Sequence, residues 1–156
     1  MEIVQLVPRM SAALAAFLQD LSERGDQAFF APHAADEHSI RAMIGAVDRD
    51  LFYLAIEREK VLAYGLLRGW DEGFAIPSLG VAVHPDARGT GLGRLMMDFL
   101  HLAAARRGAC KVRLRVQRSN ARAISLYDAL GYVFEDNRDG SEYRVAFKTL
   151  KPQHAA

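Results

Sequence analysis

Residues 81–107 constrain this chain most. A strand-like Val81-Ala82-Val83 passes through His84-Pro85-Asp86-Ala87 into Arg88-Gly89-Thr90-Gly91-Leu92-Gly93, and an apolar helical repeat follows at once. The alternating glycines remove the Cβ atoms that would hold a bound group at a distance. The first turn of a helix exposes N–H groups without intrahelical partners, at the positive end of its dipole. A strand feeding such a turn makes an anion site, and a pyrophosphate is its natural occupant. Arg88 adds a fixed positive charge at the rim. The Walker-loop reading weakens, because Arg94 and Leu95 follow the last glycine where Lys and Ser or Thr would stand. A dinucleotide fingerprint fits poorly too. Its glycines are spaced G-x-G-x-x-G in a first βαβ unit, whereas this turn comes after a meander. A plain glycine turn with no ligand is the competing reading.

Periodicity orders the rest. Ile3 to Val7 reads as a strand, and Pro8 precedes a helix from Ala12 to Leu21 that Gly25 closes. Phe29-Phe30-Ala31-Pro32-His33 forms an aromatic loop, and Asp36 caps a second helix to Val47. Strands are predicted over 51–56 and 61–67, joined by the charged turn 57–60, and over 74–83 after the turn at Asp71-Glu72-Gly73. Pro77 and Gly80 predict a bulge or local unpairing in that third strand. A helix from about Gly91 to Arg107 follows, with Leu92, Leu95, Met96, Phe99 and Leu102 as its apolar face. Next come a strand from Lys111 to Val116, a helix capped by Asn120 and ended by Gly131, and strands near 132–135 and 143–150. The unit 74–116 predicts one parallel pairing in an otherwise antiparallel sheet. The fold class is α/β (α+β): a mixed sheet flanked by helices.

With 156 residues, 51% of them hydrophobic, the chain suits one domain over 1–150 and a loose tail over 151–156. A formal charge of +1 gives no bulk electrostatic support for a nucleic-acid or anionic-membrane partner. The lone Cys110 excludes an internal disulfide, suits a reducing cytosol and reads as a small buried hydrophobe. The start Met1-Glu2-Ile3-Val4-Gln5 lacks the pattern of a signal peptide, and no run approaches the ~20 apolar residues of a membrane helix. A cytoplasmic protein without a membrane partner is expected, with no metal site; a homodimer is left open.

The glycine turn is not isolated. Arg88, Gly91 and Gly93, after Val81 and Val83, resemble the acetyl-CoA motif Arg/Gln-x-x-Gly-x-Gly/Ala of the GNAT acetyltransferases. Asn120-Ala121-Arg122-Ala123-Ile124-Ser125-Leu126-Tyr127-Asp128-Ala129-Leu130-Gly131-Tyr132 is similar to that family's second signature, Asn-x-x-Ala-x-x-x-Tyr-x-x-x-Gly-Phe/Tyr. The resemblance runs from about Val61 to Phe147. It implies a sheet with splayed central strands that hold the pantetheine arm of acetyl-CoA. On this reading the backbone of Val81 and Val83 bonds the arm, and Arg88, Gly89, Thr90, Gly91 and Gly93 hold the pyrophosphate. Asn120 contacts the cofactor, while its plainer role is the helix cap.

Transfer requires a neutral amine, and removing the proton of a lysine-like amine costs roughly 4 kcal/mol at neutral pH. A base must take that proton, and the departing thiolate needs a donor. The resemblance assigns the donor to Tyr127, otherwise an aromatic of an apolar helix face. Many relatives carry a glutamate near Pro77-Ser78, and this chain has none there. Glu72 is the nearest carboxylate, acting through water or merely solvated, and His84 is a weaker candidate. For the acceptor, Arg113 and Arg115 share one strand face, Arg68, Trp70 and Asp71 lie at the neighbouring hairpin, and Phe29, Phe30 and His33 offer a wall. Cations beside a carboxylate suit a small amine with an anionic group, such as an amino sugar or amino-acid-like metabolite. A peptide or protein amine is the alternative acceptor, and a non-catalytic acyl-CoA-binding sensor is the alternative function.

Overall fold

A computed structural model describes residues 1–24, 30, 32–135 and 140–151. The predicted closing residue Gly25, Phe29 and Ala31 of the aromatic loop, and the tail from Pro152 lie outside them. Seven strands form one sheet in the order β1-β2-β3-β4-β5-β7-β6: β1 (Glu2–Gln5), β2 (Leu51–Glu57), β3 (Lys60–Arg68), β4 (Ser78–Val83), β5 (Lys111–Gln117), β6 (Val133–Phe134) and β7 (Tyr143–Thr149). Every neighbouring pair is antiparallel except β4 with β5. That one parallel step is the crossover through helix α3 (Leu92–Arg106).

Helices α1 (Ser11–Glu23) and α2 (Glu37–Gly45) cover one face of the sheet. Leu14, Phe17, Leu18 and Leu21 recur at helical spacing and pack on Phe52, Leu54, Tyr64 and Leu66. Asp36 caps α2 as predicted, its carboxylate accepting the Ser39 N–H at 2.8 Å. The other face is covered by α3 and by α4 (Ala121–Ala129), with Trp70, Leu79, Met97, Leu100, Val112, Leu114 and Val116 between. The half formed by β5, β7 and β6 therefore has a helix on the α3 side. On its other side the described residues place none.

Four expectations change. The third strand of the meander begins at Ser78, not Phe74, because the chain first turns through Trp70–Glu72 and Gly73 at φ 91°. β4 pairs with β3 without a shift, and the sheet's irregularity falls at Ala55/Ile56 of β2. On α3, Leu92 and Met96 are buried, but Leu95 and Leu102 are exposed. Met97, Leu100, His101 and Ala104 take the inner face instead, and Phe99 packs edge-to-face on Tyr53, 4.9 Å between centroids. Cys110 is exposed, since its neighbour Ala109 supplies the small buried side chain.

Candidate active site

β4 and β5 part company almost where they meet. Their one ladder pair is Ser78↔Arg113, with the Arg113 N–H donating to the Pro77 carbonyl at 2.9 Å. On its other edge β4 bonds β3 throughout, and beyond its end the His84 N–H still donates to the Leu62 carbonyl at 2.7 Å. Backbone groups alternate along an antiparallel strand, so Ser78, Gly80 and Ala82 aim at β3 like His84. Val81 and Val83 thus turn their N–H and C=O groups into the wedge between β4 and β5. The predicted unpairing is present on this edge, and its cause is the divergence of the strands rather than Pro77, which lies before β4.

The glycine turn closes the wide end of the wedge. Gly89 has φ 74°, and Gly91, the N-cap of α3, has φ 86° and ψ 2°. A Cβ added at either would meet nothing within 4 Å, so the space in front of the turn is open. Gly93 already lies in the helix, where a Cβ would make an ordinary 3.6 Å contact with Val83 Cγ2. The Thr90 hydroxyl donates to the Ala87 carbonyl at 2.6 Å, which shapes the turn from within. Arg88 is exposed at the rim. Free helix amides, an open cradle and a nearby guanidinium together fit a pyrophosphate.

His84 is no base. It is 2% exposed, and its Nε2 lies 2.8 Å from Asp20 Oδ2 on α1. Its Nδ1 accepts the Asp86 N–H at 3.2 Å, so the proton sits on Nε2 and is donated to Asp20. Asp86 in turn pairs with Arg24 at 3.0 Å and Lys60 at 3.5 Å. No sequence signal links residues so far apart, and this cluster was not predicted.

Helix α4 starts beside the turn's end of β5. Asn120 caps it, Oδ1 accepting the Ala123 N–H at 3.3 Å, which leaves its amide hydrogens for another partner. Tyr127 lies seven residues on, ~10 Å along the helix axis. Its half-buried ring packs on the core and sits 5.6 Å from the Tyr132 ring. Burial pushes its phenol up to about 12. Tyr132 is tied instead to His101, its hydroxyl 2.7 Å from Nε2.

Arg113 and Arg115 project from β5 on the side without a helix. Arg113 Nη1 is 3.4 Å from Ser78 Oγ, and the Arg115 guanidinium stacks 4.1 Å above the Tyr143 ring. The register puts Arg68, Ser78, Arg113, Phe147 and Val133 in one row across five strands. Trp70 does not join them: it is 6% exposed and belongs to the core under α3, with Arg107 over its ring. Asp71 is likewise structural. Its carboxylate accepts the N–H groups of Asp48, Arg49 and Asp50, and these bonds, that from Arg49 foremost, hold its carboxyl below the usual range. Glu72 is exposed in the turn ahead of β4, at the closed end of the wedge and far from the glycine turn. His33 lies against β3. Its Nδ1 donates to the Ala34 carbonyl at 2.8 Å, and its Nε2 accepts from the Tyr64 hydroxyl at 2.7 Å. Burial lowers its basicity.

Residues 12–132 match the acetyltransferase (GNAT) family. An acetyltransferase of Sodalis glossinidius is 32% identical over 90 residues, 58% of this chain and 62% of that protein. The [ribosomal protein bS18]-alanine N-acetyltransferase of Escherichia coli strain K12 is 42% identical over 52 residues, 33% of this chain and 35% of that one. The chain thus spans less than two thirds of the length of either. The paiA N-acetyltransferase of Thermoplasma acidophilum, solved in complex with coenzyme A, shares the fold with a TM-score of 0.78 at 17% identity, over 95% of this chain and 98% of that one. Helices α2 to α4, all of α1 but its first residue, the wedge and the glycine turn lie within the family match, and this chain belongs to the GNAT acetyltransferases.

Proposed function

We propose that the chain moves an acetyl group from acetyl-CoA to the primary amine of a small, anionic acceptor. One observation carries the cofactor half: the wedge and the open glycine turn lie on a single line along β4. A pyrophosphate on the turn amides and Arg88, a pantetheine arm along Val81 and Val83, and a contact from Asn120 follow from that line. Gly89 and Gly91 keep the cradle open, Gly93 offers its N–H in the first turn of α3, and Thr90 holds the turn's shape. When bound, the thioester supplies the activated acetyl carbon.

The chain's own residues then manage protons and position. A phenol near 12 stays protonated at neutral pH, so Tyr127 donates a hydrogen bond to the departing sulfur. Full transfer to a thiolate of cysteine-like pKa ~8.5 would be uphill by about 5 kcal/mol. Tyr127 therefore stabilises the leaving group mainly as a donor. Glu72, exposed at the closed end, passes the amine proton to solvent through water. Arg113 and Arg115, uncovered by any described helix, hold the acceptor's phosphate or carboxylate, and His33 forms part of the wall opposite.

The bS18-alanine relative favours a second reading, a peptide amino terminus as acceptor. A panel of amines sorted by charge, with an alanine-initiated peptide among them, separates the two when thiol release from acetyl-CoA is followed. Anionic small amines should lead neutral ones of equal size. Basic peptides or polyamines as the best acceptors would overturn the anionic reading. Tight cofactor binding with no turnover on any amine would favour the sensor.

A further inference from the structure

The polar cluster behind the glycine turn lies outside the acetyl-transfer chemistry, yet it ties the turn to helix α1. We propose that Asp20 and His84 form a positioning pair that holds the approach to the glycine turn, so that acetyl-CoA affinity depends on α1. This rests on the cofactor site proposed above. His84 ends the run of β4 and is buried, while Asp20 sits in the last turn of α1 with its carboxylate half exposed. The ring bridges the two. Nε2–H donates to Asp20, and Nδ1 accepts the Asp86 N–H that begins the tight turn Pro85–Ala87. That turn ends at the Ala87 carbonyl, the acceptor of the Thr90 hydroxyl, and so leads directly into Gly89 and Gly91. Arg24, just past α1, pairs with Asp86 from the same side. Two contacts from one helix end, Asp20 to His84 and Arg24 to Asp86, with the His84–Asp86 bond between them, thus set where the cradle stands relative to the strand that bears Val81 and Val83.

The chain's path adds a consequence. After α1 the next described aromatic, Phe30, lies against the middle of β4, within 3.4 Å of a Cβ built at Gly80, and His33 follows on Tyr64. The helix that steadies the cofactor turn therefore also leads into the wall facing the acceptor arginines. An imidazole suits this joint because one ring nitrogen donates while the other accepts, across two elements, from a fixed plane. The anchoring acts through Asp86 and the turn; neither Asp20 nor His84 touches the reacting atoms.

The test measures acetyl-CoA binding by calorimetry, with steady-state kinetics on the best amine of the panel. Asp20→Ala removes the acceptor of the Nε2 hydrogen bond, and alanine favours the helix, so the fold is retained. Its Kd should rise about tenfold, with the KM for acetyl-CoA rising in parallel and kcat staying within about twofold. A tenfold rise corresponds to about 1.4 kcal/mol. Asp20→Asn, which keeps an oxygen at the same place, should recover most of the affinity. Asp20→Gln, a good helix former with a longer arm, should behave like Asp20→Ala. Wild-type Kd in Asp20→Ala, even with lowered melting temperature, would reduce the pair to packing and overturn the inference. So would a fall in kcat with unchanged Kd. Failure of the wild-type protein to bind acetyl-CoA would overturn the cofactor site itself, a separate result.

Discussion

Gly91 offers the sharpest test of the cofactor site, because two effects of substituting it can be separated. Its φ of 86° lies where L-residues are strained, and a Cβ there would meet no protein atom within 4 Å. Valine should therefore cost stability through the backbone alone, about 1–2 kcal/mol. For a domain of this size that lowers Tm by roughly 2–8 °C. Asparagine tolerates the left-handed region and is itself a favourable N-cap, so Gly91→Asn should melt close to the wild type. Both side chains would nevertheless occupy the open space before the α3 amides. If a pyrophosphate rests there, Gly91→Asn should weaken acetyl-CoA binding at least tenfold, or 1.4 kcal/mol, and Gly91→Val about a hundredfold. Calorimetric titration of both variants, beside thermal melts, reads the two effects independently. Wild-type affinity in a folded Gly91→Asn protein would remove the turn from the site, however well its geometry suits an anion.

Further predictions concern the rest of the site and the core. Tyr127→Phe should leave acetyl-CoA affinity unchanged and lower kcat roughly 10²-fold, as for the loss of one donor to a developing negative charge; an unaltered kcat would make Tyr127 a packing residue only. Arg113→Ala should raise the acceptor's KM and weaken its salt sensitivity, with acetyl-CoA affinity untouched, and Arg113→Lys should rescue only in part because a point charge does not replace a fork. The same KM in Arg113→Ala would leave that face merely solvated. Burial first, and Lys148 second, lowers His101 from 6.5 to about 4, so the folded state prefers the neutral ring. The unfolded chain then binds the proton first, and about 3 kcal/mol of stability present above pH 6.5 is lost as pH falls toward 4. Denaturant unfolding of His101→Gln should show a flatter acid limb; an equally steep one would assign the acid sensitivity elsewhere.

Local chemistry made part of this molecule legible in advance. The cap at Asp36, the hairpin from Leu51 to Leu67, the glycine turn and the Asn120–Gly131 helix each follow from residues adjacent in sequence. What failed depends on three-dimensional partners. Residues 95–100 of α3 are nearly all apolar, so periodicity alone did not decide between the stripe through Leu95 and Leu102 and the buried one through Met97 and Leu100. Trp70 stands beside charged neighbours and reads as part of the acceptor site, yet the short turn Trp70–Glu72 directs it into the core. The Asp20–His84 pair spans 64 residues, and Asp71 finds its three amide donors more than twenty residues away. Such bonds leave no periodic trace.

The single ladder pair between β4 and β5 also bears on how the molecule comes apart. Strands β1 to β4 make one hydrogen-bonded leaf and β5, β7 and β6 another, and among the described residues Ser78↔Arg113 is the one ladder pair between them. Cooperativity across the seam must pass through side chains: Leu79 from one leaf, Val112 and Leu114 from the other, and Met97 and Leu100 of α3 laid over both. A cavity at that seam, as in Leu114→Ala, removes shared packing worth about 2–5 kcal/mol while cutting no backbone bond. Native-state hydrogen exchange should then resolve the leaves as two opening units with different protection, whereas the wild-type protein should open as one.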